Sequence, residues 1–201
     1  MRTVRPRRRE HAASRRKLTR EDWMRAALEA MRAGGLSAVA IEPLASTLGA
    51  TKGSFYWHFH DRDELVAASL GWWRADTETV LAHVEELPGR PDRLAGLVQT
   101  CFAPESRRVL LAMLCAAEHP LVAPVLASML EDRIAFTARV FATGATPDQQ
   151  DVRHATECWT RWIGSLMLHA AAPDSLAGVS LPTPDEARGY AAALLAVAET
   201  T

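Results

Sequence analysis

Residues 41–59 read Ile41-Glu42-Pro43-Leu44-Ala45-Ser46-Thr47-Leu48-Gly49-Ala50-Thr51-Lys52-Gly53-Ser54-Phe55-Tyr56-Trp57-His58-Phe59. Ile41, Leu44, Ala45 and Leu48 recur at offsets of three, four and seven, the spacing of one helical face. Pro43 suits such a helix only in its first turn, where its missing N–H has no partner to lose, so the start is expected near Val39 or Ala40. Gly49 ends this helix, and Thr51 can cap another that is expected to carry Lys52 through Phe59. Two short helices about a Gly-containing turn form a helix-turn-helix pattern. Leu44, Leu48, Phe55 and Phe59 can lock the pair together, which leaves Thr51, Lys52, Ser54, Tyr56, Trp57 and His58 facing outward. Gly53 permits close backbone approach to a phosphate, whose charge helix-end N–H groups can accept.

On the amino-terminal side, Thr19 can cap a helix whose third residue, Asp22, substitutes for the usual Glu of a capping box. Trp23, Ala27 and Met31 form its apolar face, and Gly34-Gly35 stops it. On the carboxyl-terminal side Asp61 starts a fourth helix bearing Leu65, Val66, Ser69, Leu70, Trp73, Val80 and Leu81, broken at Leu87-Pro88-Gly89-Arg90-Pro91. Further helices are expected over Asp92–Phe102, Glu105–Ala117, Leu121–Phe141, Gln149–Ala171 and Asp185–Glu199. No sustained strand alternation competes with them, so the expected fold class is all-α.

The 201 residues are 48% hydrophobic and 23% charged, enough apolar material for one or two globular domains and too much for a wholly disordered chain. The formal net charge of -1 speaks against a generally basic polyanion binder, yet it hides an asymmetry. Residues 1–20 hold nine Arg and Lys against Glu10 alone, and residues 63–201 hold ten basic against 18 acidic side chains. Cys101, Cys115 and Cys158 are odd in number and widely spaced, unlike a metal knuckle or a secreted disulfide framework, which points to a reducing cytoplasm. Neither a secretory signal nor an apolar run of membrane-spanning length is legible.

The 41–59 stretch, continued by Asp63-Glu64-Leu65, closely resembles the TetR family of bacterial transcriptional regulators over roughly residues 20–70. Its Lys-Gly-Ser-Phe-Tyr-Trp-His-Phe segment is far more specific than a generic helix-turn-helix, and Pro43 is its one less typical residue. The resemblance implies a three-helix DNA-binding domain over 18–64 and a carboxyl-terminal ligand-binding and dimerisation domain over 65–201, preceded by a basic arm, 1–17. It further implies a homodimer that sets two recognition helices in successive major grooves of double-stranded operator DNA.

Carried over residue by residue, Thr51 and Lys52 resemble contacts at the start of the recognition helix, with Gly53 beside them. Tyr56 and His58 resemble phosphate-facing positions. Ser54 and Trp57 are candidates for base-edge or thymine-methyl contact, although Trp57 can also lie across the backbone. Arg5 and Arg7, Arg8 and Arg9 can enter the minor groove or follow phosphates, and Arg15, Arg16 and Lys17 can extend that footprint.

Within the helical body Met113, Cys115, Met129, Phe136, Cys158, Trp159, Trp162 and Met167 are candidates to surround a small hydrophobic or amphipathic effector, or else to fill an ordinary core. The last two long helices resemble the intersubunit four-helix arrangement of the family, with one stripe of Trp159, Ile163, Leu166 and Ala170 and another of Tyr190, Leu194 and Val197. His119, His154 and His169 are too scattered for a metal site. No Ser-His-Asp set, dinucleotide glycine fingerprint or repeated metal-ligand spacing emerges, so neither an enzyme nor a bound cofactor is expected. The expected function is a dimeric repressor released from its operator by a small molecule. A helical protein-interaction module and a ligand-independent regulator are the alternatives.

Overall fold

The computed structural model describes residues 17–172 and 186–200, without the side chains of Phe102 and of residues 197–200. Arg5, Arg7, Arg8, Arg9, Arg15, Arg16 and Asp185 lie outside the described residues, as does the side chain of Val197. Regular structure among the described residues is helical throughout.

The first helix, α1, spans Arg20–Gly34. Thr19 Oγ1 accepts the Asp22 N–H at 3.2 Å while Asp22 Oδ2 accepts the Thr19 N–H at 2.8 Å, the reciprocal capping box expected from the sequence. Gly35 ends the helix at φ 72°, in the left-handed region that glycine reaches without a Cβ penalty. A single 3-10 turn, Leu36–Ala38, leads into α2, Ile41–Thr47, which places Pro43 in the first turn and Ala40 at the cap position. Gly49, at φ 62°, turns the chain into α3, Lys52–Phe55.

That third helix is shorter than the sequence suggests. Instead of running to Phe59 it stops at Phe55, and the next residues close a turn in which the His58 and Phe59 N–H groups both donate to the Phe55 carbonyl. Tyr56-Trp57-His58 is a run of poor helix formers, and the His58 carbonyl is taken by the Arg20 guanidinium rather than by the next helical turn. Asp61 then restarts the chain in a new direction, its Oδ1 accepting the Glu64 N–H at 2.8 Å.

The long α4, Arg62–Glu85, extends about 36 Å at the usual helical rise. It buries Leu65, Val66, Leu70 and Trp73 on one side, with Ser69 and Thr77 bonded back to backbone carbonyls of their own helix. Next come α5 (Arg90–Phe102), α6 (Pro104–Cys115), α7 (Ala123–Phe141), α8 (Gln149–Ala171) and α9 (Ala187–Thr200). Pro91, Pro104 and Pro124 occupy first-turn positions, where they pre-set φ at no cost in hydrogen bonds. The two arginine donors of Arg90, Nε and Nη2, cap the end of α7 by reaching the Val140 and Phe141 carbonyls at 2.7 Å.

In this body α1 packs on α4 and α6, α5 lies along α9, and α7 lies along α8. Gly96 lets α5 approach α4 closely, since a Cβ there would stand 3.0 Å from both Val84 methyls. One contiguous core runs from Trp23 to Leu195, so the amino-terminal module and the body share it.

Phe55 is fully buried at the centre of the module, 5.4 Å edge-on from Trp23 and 5.7 Å from Phe59 in a stacked arrangement. Phe55→Ala is therefore expected to lower unfolding free energy by about 3–5 kcal/mol, measured by chemical denaturation of the full chain. A change below about 1 kcal/mol would show that the module does not depend on this ring.

Candidate nucleic-acid interface

The surface built by the turn and α3 follows from what the core removes. Phe55 and Phe59 point inward, and Thr51, Lys52, Gly53, Tyr56 and Trp57 are left exposed, with Ser54 and His58 half-buried. Trp57 is 89% exposed and Tyr56 53%, a large aromatic surface that a monomeric soluble module has no structural reason to present. Tyr56 keeps one edge against Phe55 at 5.2 Å, which orients its ring outward.

Thr51 Oγ1 accepts the Ser54 N–H at 3.2 Å, so this hydroxyl both caps α3 and retains its own proton to donate. Lys52 Nζ pairs with Glu42 Oε1 at 2.9 Å, both side chains being mostly exposed. This hydrogen bond to Glu42 raises the Lys52 pKa, and the ammonium therefore stays charged at neutral pH. Glu42 carries no signal in the sequence that marks it as part of this surface. It lies ten residues before Lys52, on the neighbouring helix, and only the turn at Gly49 brings the two together.

Three charged residues around this surface hold it to α4. Arg20 stacks its guanidinium 4.0 Å from the Phe59 ring centroid, donates to the His58 carbonyl and reaches Glu64 Oε1 at 2.7 Å. Glu64 Oε2 also accepts the His60 N–H at 2.6 Å, and these bonds hold its carboxyl below the ordinary range, with the His60 backbone bond first and the Arg20 bond second. Arg62 donates from Nε and Nη2 to the Val39 and Leu36 carbonyls at 2.7 Å, which ties the first turn of α4 to the loop before α2. None of these three was legible as a site residue, because their partners are backbone atoms and distant side chains.

The body holds a second candidate site, an apolar cavity of about 370 Å3, its open mouth included, between α5, α7, α8 and α9. Cys158, Trp159 and Trp162 line it as the sequence suggested, joined by Cys101, Thr137 and Tyr190. Met113 and Phe136 are buried elsewhere, and Met167 is 39% exposed on α8, so none of the three lines this cavity.

The intersubunit stripes also differ from expectation. Trp159 and Leu166 are buried within the chain, Tyr190 and Leu194 border the cavity, Ile163 is half-buried and Ala170 is exposed. The Trp-rich face of α8 is used for the chain's own core because it faces α7, and the apolar residues left outside are Val152, Met167 and Leu168. On α9, Ala187, Ala191 and Leu195 turn inward, leaving Gly189, Ala192, Ala193 and Ala196 exposed.

Residues 24–69 match the family described as bacterial regulatory proteins, tetR family. Among curated proteins none matches the chain. A transcriptional regulator from Rhodococcus sp. Rha1 shares the fold with a TM-score of 0.71 at 15% identity, covering 91% of this chain and 97% of its own. A TetR transcription regulator from Haloarcula marismortui ATCC 43049 aligns with a TM-score of 0.68 at 18% identity over 89% and 96% of the two chains. A protein from Saccharomonospora viridis in complex with choline aligns at 0.65, with 18% identity over 88% and 95%. Among the described residues no helix is long and apolar enough to cross a membrane. The matched module and the exposed turn-and-helix surface coincide: residues 24–69 form a domain of the tetR family of bacterial regulatory proteins, and the whole chain shares its fold with the solved regulators.

Proposed function

We propose that the chain is a sequence-specific DNA-binding repressor that works as a homodimer and is released from its operator by a small molecule. The observation that carries this reading is the tip formed by Thr51, Lys52, Gly53, Tyr56 and Trp57, exposed around a helix whose own hydrophobic residue, Phe55, is fully buried. In the bound state Lys52 and Tyr56 meet phosphates, and Thr51, Ser54 and Trp57 reach base edges or the thymine methyl, with Gly53 letting the backbone approach and His58 at the margin. Arg7, Arg8 and Arg9 add affinity as minor-groove or phosphate contacts.

Dimerisation uses the outward faces of α8 and α9, where Val152, Met167 and Leu168 are exposed on one helix and the small residues Ala192, Ala193 and Ala196 on the other. Small residues let helices of two copies approach closely, and a four-helix contact of this kind sets the spacing of the two DNA-binding tips. Leu168→Arg is expected to shift the full chain toward monomer in sedimentation. An unchanged dimer would move the interface elsewhere.

The cavity between α5, α7, α8 and α9 is the effector site, and its walls reach α4 directly. Arg74 on α4 bonds Asp132 on α7 at 2.9 Å, and Arg139 on α7 bonds Glu85 at the end of α4 at 2.9 Å. A ligand that shifts α7 therefore tilts α4, whose first turn carries the module through Arg62 and Glu64. Effector binding thus changes the separation of the two tips and weakens operator fit. Choline in the Saccharomonospora viridis protein is consistent with a small-molecule ligand in this fold.

Selection from randomised duplexes tests the DNA reading. The full chain is expected to enrich one motif. Lys52→Ala and Tyr56→Ala are expected to weaken binding across sequences, each flattening the salt dependence by about one unit. Thr51→Asn, which keeps a capping oxygen, is expected to alter the motif instead. Three variants that leave affinity and motif unchanged would overturn the site. In the free chain Glu42 competes with phosphate for Lys52, so Glu42→Gln is expected to tighten duplex binding about two- to fivefold in the same assay. Weaker binding would mean that Glu42 itself positions Lys52.

A further inference from the structure

The turn after α3 carries Tyr56 and Trp57, and its two ends are held differently. At the near end Phe55 is fully buried, and Tyr56 keeps an edge against it at 5.2 Å. Trp57 has no comparable support. At 89% exposure its ring has almost no packing of its own, so its direction is inherited from the backbone on either side. No further helical turn fixes that backbone, because α3 stops at Phe55.

The far end is fixed by two side chains from other helices. The Arg20 guanidinium donates to the His58 carbonyl and lies over the Phe59 ring, 4.0 Å from its centroid. Its Nη2 bonds Glu64 Oε1 at 2.7 Å, and Glu64 Oε2 accepts the His60 N–H at 2.6 Å. One ion pair thus grips three consecutive residues, His58, Phe59 and His60, through a carbonyl, a ring and an amide. Each member of the pair sits in the first turn of a capped helix. Arg20 follows Thr19, which closes the capping box of α1 with Asp22, and the Glu64 N–H is held by Asp61 Oδ1 at 2.8 Å.

The charges fit a holding role better than a contact role. A carboxylate beside a surface that meets a polyanion is unfavourable, yet the Glu64 side chain is 41% exposed there, with both oxygens engaged on Arg20 and His60. Both terminal nitrogens of Arg20 have protein partners and one face of its plane lies on Phe59, so the group is arranged to hold the turn rather than to reach a phosphate.

We infer that Arg20 and Glu64 are positioning residues for base recognition, which aim Trp57 from the far side of its turn and set sequence preference without touching DNA. The inference rests on the reading of the α3 surface as the DNA contact. Base-edge contacts need placement to within about 0.5 Å, whereas the Lys52 ammonium, a point charge on a flexible stem, tolerates more. Releasing the turn therefore removes preference before it removes affinity.

The test runs selection from randomised duplexes on the full chain and on Arg20→Gln, Glu64→Ala and Trp57→Ala, with a salt titration of each. Chemical denaturation confirms that each variant is folded. Arg20→Gln and Glu64→Ala are expected to relax base preference at the positions that Trp57→Ala relaxes, by about fivefold or more, with an unchanged salt slope. In the Trp57→Ala background Arg20→Gln is expected to relax nothing further, since residues that act through one contact are not additive.

Charge alone gives the opposite pattern, in which Arg20→Gln weakens every sequence and Glu64→Ala tightens every sequence. That pattern would overturn the positioning role, as would additive losses in the double variant. Either single variant decides between the two accounts if the other fails to fold. A motif that survives in Trp57→Ala, or in both Arg20→Gln and Glu64→Ala, would overturn the positioning role and leave the DNA reading intact. No motif enriched by the unsubstituted chain would overturn both.

Discussion

A helix of four residues has no stability of its own, because nucleating the first turn fixes several dihedrals for a single hydrogen bond. The exposed surface from Thr51 to Trp57 is built on such a helix, and the burial of Phe55 holds it in place. Trp23 from α1 and Phe59 from the following turn close around that ring, and Arg20 covers Phe59 from outside. Everything exposed from Thr51 to Trp57 takes its direction from this packing. The aromatic cluster sets where the polar residues point, and the polar residues set what the surface can bind.

The same cluster lies at the end of a lever. Arg62 and Glu64 fasten the first turn of α4 to the loop before α2 and to α1, and further along that helix Arg74 and Glu85 bond α7. Exposed ion pairs contribute little to stability individually, so they can shift without unfolding the chain, which is what a switch between two domain angles requires.

Much of this was legible in the sequence. Thr19 and Asp61 cap the helices that they precede, and α8 spans Gln149–Ala171 as the sequence indicated. Phe55 and Phe59 are core because their spacing and apolar character allow little else. The end of α3 was not legible, since it depends on Arg20, 38 residues away, taking the His58 carbonyl. The faces of α8 were misjudged for a related reason: an apolar stripe shows that something is covered, and only the position of α7 shows that Trp159 and Leu166 are covered by the chain itself. Arg133 gave no signal at all. Within a polar-apolar helix an arginine reads as surface, and only the packed structure reveals one enclosed with no carboxylate partner among the described residues.

The central claim is that the surface around α3, held by Phe55, is where this chain meets DNA. Amide hydrogen exchange of the full chain, with and without a random-sequence duplex at low salt, measures it most directly. The account predicts added protection concentrated in peptides covering residues 41–64 when duplex is bound. Stable duplex binding with no change in those peptides, and protection confined to the helical body, would contradict it.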